Sequence, residues 1–190
     1  MKIKCHRHPI VFAVILSLAV LTFAADSKKE NKQKQIRKMA EDTLALLYKA
    51  DPKTKSAIES AFGYAVFSDL GVKILLAGSG KGHGIAVNNK NKQETFMKML
   101  ELQAGLGFGV EKFRVVFIFE TQKAFDHFVN SGWEFSGQST AAAKVGEKGA
   151  AFSGAASVSE GVWMYQLTEK GVAAEITVHS SKYSKDDDLN

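Results

Sequence analysis

Between residues 33 and 49 the apolar positions recur at steps of three and four: Ile36, Met39, Ala40, Thr43, Leu46 and Leu47. At 100° per residue they fall on one side, which predicts an amphipathic helix. Asp51-Pro52 predicts a stop and a restart, with Asp as N-cap and Pro at the first helical position. A short second helix is expected to reach Ser60 with Ala57, Ile58 and Ala61 turned inward, and Gly63 to end it. From Tyr64 the period changes. Residues 64–67, 72–77 and 83–87 are short runs rich in Val and Ile and punctuated by Gly and Asp, which reads as strands. Residues 88–92, Asn-Asn-Lys-Asn-Lys, predict a turn. Residues 95–110 read as one long or bulged strand. Phe96, Leu100, Leu102, Ala104, Leu106 and Phe108 would share one face, with Gly105, Gly107 and Gly109 on the other.

Residues 114–119 are almost continuously apolar and read as a central strand. Thr121 then N-caps a helix over residues 122–129, with Ala124, Phe125 and Phe128 as its buried stripe and Ser131-Gly132 closing it. Beyond residues 134–139 and a small-residue stretch over 141–154, a hairpin is predicted. Its arms are residues 161–167 and 172–178, turned through Thr168-Glu169-Lys170-Gly171. The tail from Lys182 to Asn190 is polar. The fold class that follows is α+β: N-terminal helices, then a curved, mostly antiparallel, barrel-like β-sheet with one inserted helix.

Composition fits a single folded domain, with 190 residues, 45% apolar and 24% charged. The first 24 residues set the compartment. Lys2, Lys4 and Arg7 precede an apolar run over residues 10–23 that is broken only by Ser17 and Thr22, and Thr22-Phe23-Ala24 offers small residues where a signal peptidase reads. The run is shorter than the ~20 residues of a spanning helix, so a cleaved signal peptide is favoured over an uncleaved anchor. The expected organisation is a signal peptide over 1–24, a basic leader over 25–35 and one α+β domain over 36–190. Export to the periplasm or the extracellular space follows. Cys5, the single cysteine, would leave with the leader, so no disulfide, thiol nucleophile or thiolate metal site is expected.

The formal charge of +5 comes from 25 basic and 20 acidic residues. Residues 25–40 carry Lys28, Lys29, Lys32, Lys34, Arg37 and Lys38 against only Asp26 and Glu30, whereas the chain from Glu41 onward is mildly acidic. Nucleic acid is therefore not an expected partner, because its binders carry a basic folded surface. Near an anionic bilayer each Lys or Arg is worth roughly 1 kcal/mol, so this segment would reach about 4 kcal/mol, a millimolar-class partitioning.

Gly78-Ser79-Gly80-Lys81-Gly82-His83-Gly84 invites comparison with phosphate-binding loops, yet Gly82 stands where a P-loop needs Ser or Thr, and a strand rather than a helix follows. His83 occupies the last glycine position of a dinucleotide fingerprint. Two readings stay open: a structural loop at a close backbone crossing, or an anion-binding nest of the Gly80 and Gly82 amides with Lys81. His83, His127 and His179 lack ligand spacing, and Asp186-Asp187-Asp188 lacks the pattern of a calcium loop, so no metal or cofactor is expected and a solvated tail is the reading there. No Gly-x-Ser-x-Gly elbow is present. Trp133, Trp163, Tyr165 and Phe152 fit either core packing or a ligand-stacking surface.

In order along the chain come Gly80-Lys81-Gly82-His83-Gly84-Ile85-Ala86-Val87, Gly105-Leu106-Gly107-Phe108-Gly109, and Arg114-Val115-Val116-Phe117-Ile118-Phe119 before a helix. Ser131-Gly132-Trp133-Glu134, Ala141-Ala142-Ala143-Lys144 and Gly161-Val162-Trp163-Met164-Tyr165-Gln166 follow, then Lys182-Tyr183 and Asp188-Leu189-Asn190. Together, over roughly residues 38–190, they resemble the SYLF lipid-binding domain family. The resemblance implies an α+β domain that associates with lipids. In eukaryotic relatives it implies phosphoinositide membranes met through an amphipathic helix at the domain's start, and in some cases actin. Exported bacterial relatives share the order of signal peptide, then domain. No catalytic residues come with the family, and actin is not carried over to an exported chain. The expectation is a non-enzymatic module for anionic phospholipid or phosphoinositide-type head groups at a membrane surface. Lys28, Lys29, Lys32, Lys34, Arg37, Lys38, Gly80, Lys81 and Gly82 are its candidate residues. A structural or protein-interaction module of the cell envelope, partnered by an envelope protein, is the alternative.

Overall fold

In a computed structural model the backbone is described over residues 10–74, 77–104, 109–135, 144–145, 154–168, 171–172 and 180–190, with the side chains of the first helix described from Asp26 onward. The elements in chain order are α1 (Ile10–Ala50), α2 (Lys53–Ser60), β1 (Gly63–Ile74), β2 (Ala77–Asn88), β3 (Glu94–Ala104) and β4 (Gly109–Phe119). They continue with α3 (Gln122–Ser131), β5 (Trp133–Phe135), β6 (Lys144–Val145), β7 (Ala156–Ser159), β8 (Val162–Thr168), β9 (Gly171–Val172) and β10 (Ser180–Lys185). Every strand pairing is antiparallel, in the order β5-β10-β3-β2-β1-β4-β8-β7-β6, with β9 on β8. The expected α+β fold with an antiparallel sheet and one inserted helix is what the chain forms.

The sheet curls strongly. Strands β10 and β4 stand four steps apart, about 19 Å across a flat sheet. Yet Tyr183 on β10 meets Phe117 on β4 with ring centroids 5.1 Å apart. The hollow this creates is filled by Phe67, Phe117, Phe119, Met97, Met99, Tyr183 and the Phe125, Phe128 and Val129 stripe of α3. The other face is covered by α1 and α2, whose Ile36, Ala40, Leu47 and Ile58 pack on Val66, Ile85, Phe96, Val116, Ile118, Trp163 and Tyr165. Because both faces are covered, Val115 to Phe119 are all fully buried, as a central strand requires.

Local signals explain the boundaries. Pro52 is already helical (φ −59°, ψ −23°), and Asp51 Oδ1 accepts from the Lys53 N–H at 3.1 Å. Thr121 Oγ1 accepts from the Ala124 N–H at 3.2 Å, and Gly132 leaves α3 at φ +72°.

Several expectations are corrected. Gly63 begins β1 and does not cap α2. The carbonyls of Ile58 and Ala61 instead accept from Asn89 Nδ2 in the β2–β3 turn, at 2.7 and 3.1 Å. Gly63 is glycine because a Cβ there would lie 2.6 Å from the Phe125 ring. Residues 95–110 are not one strand. They divide into β3 and the start of β4. Leu46 points away from the core that Leu47 enters. The glycine-rich segment is not a loop but the middle of β2, between β1 and β3. The polar tail is solvated only in part: Asp187 and Asp188 are exposed, but Lys182 and Tyr183 belong to β10, and Tyr183, Asp186 and Leu189 are buried. The basic segment 25–35 is continuous with α1 and already docked on the body, since Gln33 Nε2 donates to the Leu189 carbonyl at 2.7 Å. Of the predicted hairpin, β8 pairs with β9 through Leu167 and Val172. The second arm beyond Val172, Gly105 and Gly107, most of the 141–154 stretch, Phe152, His179 and residues 1–9 of the leader lie outside the described residues.

Candidate functional site

Helix geometry puts Ser27 and Lys28, Asn31 and Lys32, Gln35 and Ile36, and Met39 on one stripe of α1, four residues apart at each step. Across from them, strand alternation sends Lys81 and His83 of β2 to the same side of the sheet as Ser68 of β1, which is the cross-strand partner of His83. Between the two walls lies an open cavity of about 740 Å³. Three lysine side chains from two distant parts of the chain, Lys28, Lys32 and Lys81, line it, and among the described residues no carboxylate does. Ser27, Asn31, Gln35 and Ser68 add hydrogen-bonding groups, while Ile36 and Met39 make one end apolar. Asp186, nearly buried, has its Oδ2 3.8 Å from Nδ1 of the wall residue His83. Lys98, paired with His83, and Arg114, paired with Ser68, extend the same row of positions to either side.

The glycine alternation of β2 now has a cause. Gly82 and Gly84 alternate with Lys81, His83 and Ile85, so glycines face the hollow and side chains face α1. At Gly84 a Cβ would collide with the Phe67 ring and the Val66 carbonyl oxygen. The motif lets an aromatic core close onto one side of a strand while cations line the other.

The nine sequence candidates divide. Lys28, Lys32 and Lys81 meet at the cavity. Lys29 Nζ donates to the carbonyl of Asn190 at 3.0 Å. Lys34 pairs with Glu30 at 3.1 Å and Lys38 with Asp42 at 3.3 Å, both exposed one-turn pairs of little energetic weight. Arg37 Nε bonds Glu94 at 2.8 Å with its guanidinium 5.0 Å above the Phe96 ring, which ties α1 to β3. Gly80 and Gly82 pair with Gly71 and Asp69 on one side and Glu101 and Met99 on the other. Their amides serve strand ladders, not a nest. Sequence reading missed His83, Asn31, Gln35 and Ser68 as wall residues. The first was one strand repeat from Lys81, and the next two stand three residues from Lys28 and Lys32 on the same helix face.

A second cavity of about 460 Å³ lies at the start of α3, lined by residues that include Lys123, His127, Phe128, Trp133 and Glu160. Of the aromatics considered for stacking, Trp133 borders this cavity, whereas Trp163 and Tyr165 are core.

Residues 100–190 match the Ysc84 family, described as Las17-binding protein actin regulator. The chain is also 34% identical over 154 residues to beta cell expansion factor A of Aeromonas veronii, an alignment covering 81% of this chain and 57% of that protein. This chain belongs to the SYLF family. The chain thus spans little more than half the length of that relative. The SYLF match takes in β4, α3, β8 and the C-terminal β10, all of which build the hollow, while Lys28, Lys32, Lys81 and His83 precede it. Membership of this family suggests a lipid-binding or interaction module.

Proposed function

We propose that this SYLF protein is an exported, non-catalytic module that binds anionic phospholipid head groups, phosphoinositide-type phosphates included, at a membrane surface. The observation that carries the reading is the convergence of Lys28, Lys32 and Lys81 on one cavity that, among the described residues, no carboxylate lines. A phosphate there meets three ammonium donors with polar neighbours, and its acyl-side atoms meet Ile36 and Met39. Cleavage after Ala24 leaves the whole wall from Ser27 to Met39 in the mature chain and adds a free α-amino group one turn from Lys28. A mature product beginning at Ala25, read by mass spectrometry, tests that part.

Co-sedimentation with phosphatidylglycerol vesicles tests the site. At roughly 1 kcal/mol per cation, replacing Lys28, Lys32 and Lys81 by Gln lowers the partition coefficient by about 100-fold. Replacing Lys34 and Lys38, which already have partners, changes it far less. Equal loss from both sets would mean diffuse attraction and would remove the cavity from the mechanism. The alternative, a protein-interaction module of the cell envelope, is supported by the matched family's description as a binding protein of Las17. One stoichiometric partner recovered without lipid would favour it.

A further inference from the structure

Beside the cavity, the outward face of β10, β3 and β2 carries, among the described residues, one large aliphatic side chain in the open, Leu100, 41% exposed. Register places Lys81 directly across from it on β2 and Lys182 directly across on β10. Lys98 precedes it by two residues on the same face. All three lysines are exposed, and among the described residues none forms an ion pair. Isolated exposed leucines are ordinary on protein surfaces. Leu46, at 38%, is such a case, one helical turn from Asp42 and three residues from Lys49. Leu100 differs in being ringed by cations of one sign, and in sharing Lys81 with the cavity wall.

We infer that the β10–β3–β2 face is the side laid against an anionic membrane, with Leu100 inserted among lipid chains and Lys81, Lys98 and Lys182 held at the head groups. Lysine stems suit this arrangement, lying along apolar surface while their ammonium groups stay at the polar boundary. Apolar insertion is what attraction between charges lacks when it acts alone. The register sets Leu100, Lys81 and Lys182 side by side on one face of three neighbouring strands, with Lys98 two residues along it. The inference rests on the membrane reading above and assigns its contact plane.

The test uses the full chain with Cys5→Ser and Leu100→Cys, carrying a polarity-sensitive fluorophore, and Leu46→Cys as the comparison site. Phosphatidylglycerol vesicles should blue-shift the dye at position 100 and leave that at position 46 unchanged. Phosphatidylcholine vesicles should shift neither. Unlabelled Leu100→Gln should bind phosphatidylglycerol vesicles about 10-fold more weakly with an unaltered melting temperature. Vesicle binding with a water-exposed dye at position 100 would overturn the contact plane and leave the cavity reading standing. Absence of vesicle binding would overturn both. Binding of an acidic protein that shifts the dye where vesicles do not would assign the face to that partner instead.

Discussion

A methyl group added at position 84 would strike the Phe67 ring and the carbonyl oxygen of Val66, and the second of these is backbone held in the β1–β2 ladder. The ring has little room to yield, because Phe67 is fully buried and meets Phe117, Phe128 and Tyr183 at centroid distances of 6.1, 6.1 and 4.8 Å. Overpacking of this kind costs about 1–3 kcal/mol. Gly84→Ala is expected to lower the urea midpoint accordingly, while Lys81→Ala, on the open side of the same strand, stays within about 0.5 kcal/mol of the parent. Equal stability of the two variants would show that β2 shifts freely. The glycines also show why this strand was hard to read. Alternation is recognised from side chains, and a glycine offers none, so a regular strand resembled a loop. Met97 and Met99 were missed for a different reason: the reading of residues 95–110 followed the face of Phe96 and Leu100, whereas the two methionines are buried on the other side of the exposed Lys98.

The C-terminal segment after β10 works as a clasp between α1 and β3. Asn190 Oδ1 accepts from the Phe96 N–H at 3.0 Å, and its Nδ2 donates to the carbonyls of Phe96 and Asp186 at 2.8 and 2.6 Å. The amide thereby extends the β3 edge as another strand residue would. Leu189 is buried beside Ile36, and its carbonyl accepts from Gln33. Leu189→Ala is expected to destabilise by about 2–5 kcal/mol, and Asn190→Ala by about 1–3 kcal/mol through unsatisfied backbone groups. Hydrogen exchange at the Phe96 amide should rise in both, and unchanged protection there would contradict the clasp. Helices α2 and α3, the Asp51-Pro52 and Thr121 signals at their starts, and the central β4 were legible because each rests on signals within a few residues. The clasp was not. One leucine and one tyrosine among charges make no periodic pattern, and their burial depends on strands far back in the chain.

Across the whole molecule the sheet separates two cores, and three tyrosines mark the helix-side one: Tyr165 within it, Tyr48 and Tyr64 packed against it. Burial pushes the Tyr48 phenol up to about 12, with Tyr64 and Glu59 adding to the rise. Burial likewise raises Tyr64, helped by Glu94 and Glu41, and raises Tyr165, helped by Asp51. These groups belong to α1, β1 and β8, so the seam between layers was visible in the sequence only as scattered aromatics, and its closeness arises from the β8-β4-β1 order. A raised pKa means that the folded chain holds the phenolic proton more tightly than the unfolded chain. Below the ordinary value of 10.0 both states are protonated and the contribution is complete. As pH climbs past it the unfolded chain ionises first, so stability falls until the folded value near 12 is reached. Melting temperature should therefore decline across that window, with lysine deprotonation superimposed on it. Tyr48→Phe removes one ionising group without emptying its place, so its decline should be shallower than that of the parent chain. Parallel curves for the two proteins would mean that lysines govern the alkaline loss and that the helix layer does not depend on the Tyr48 proton.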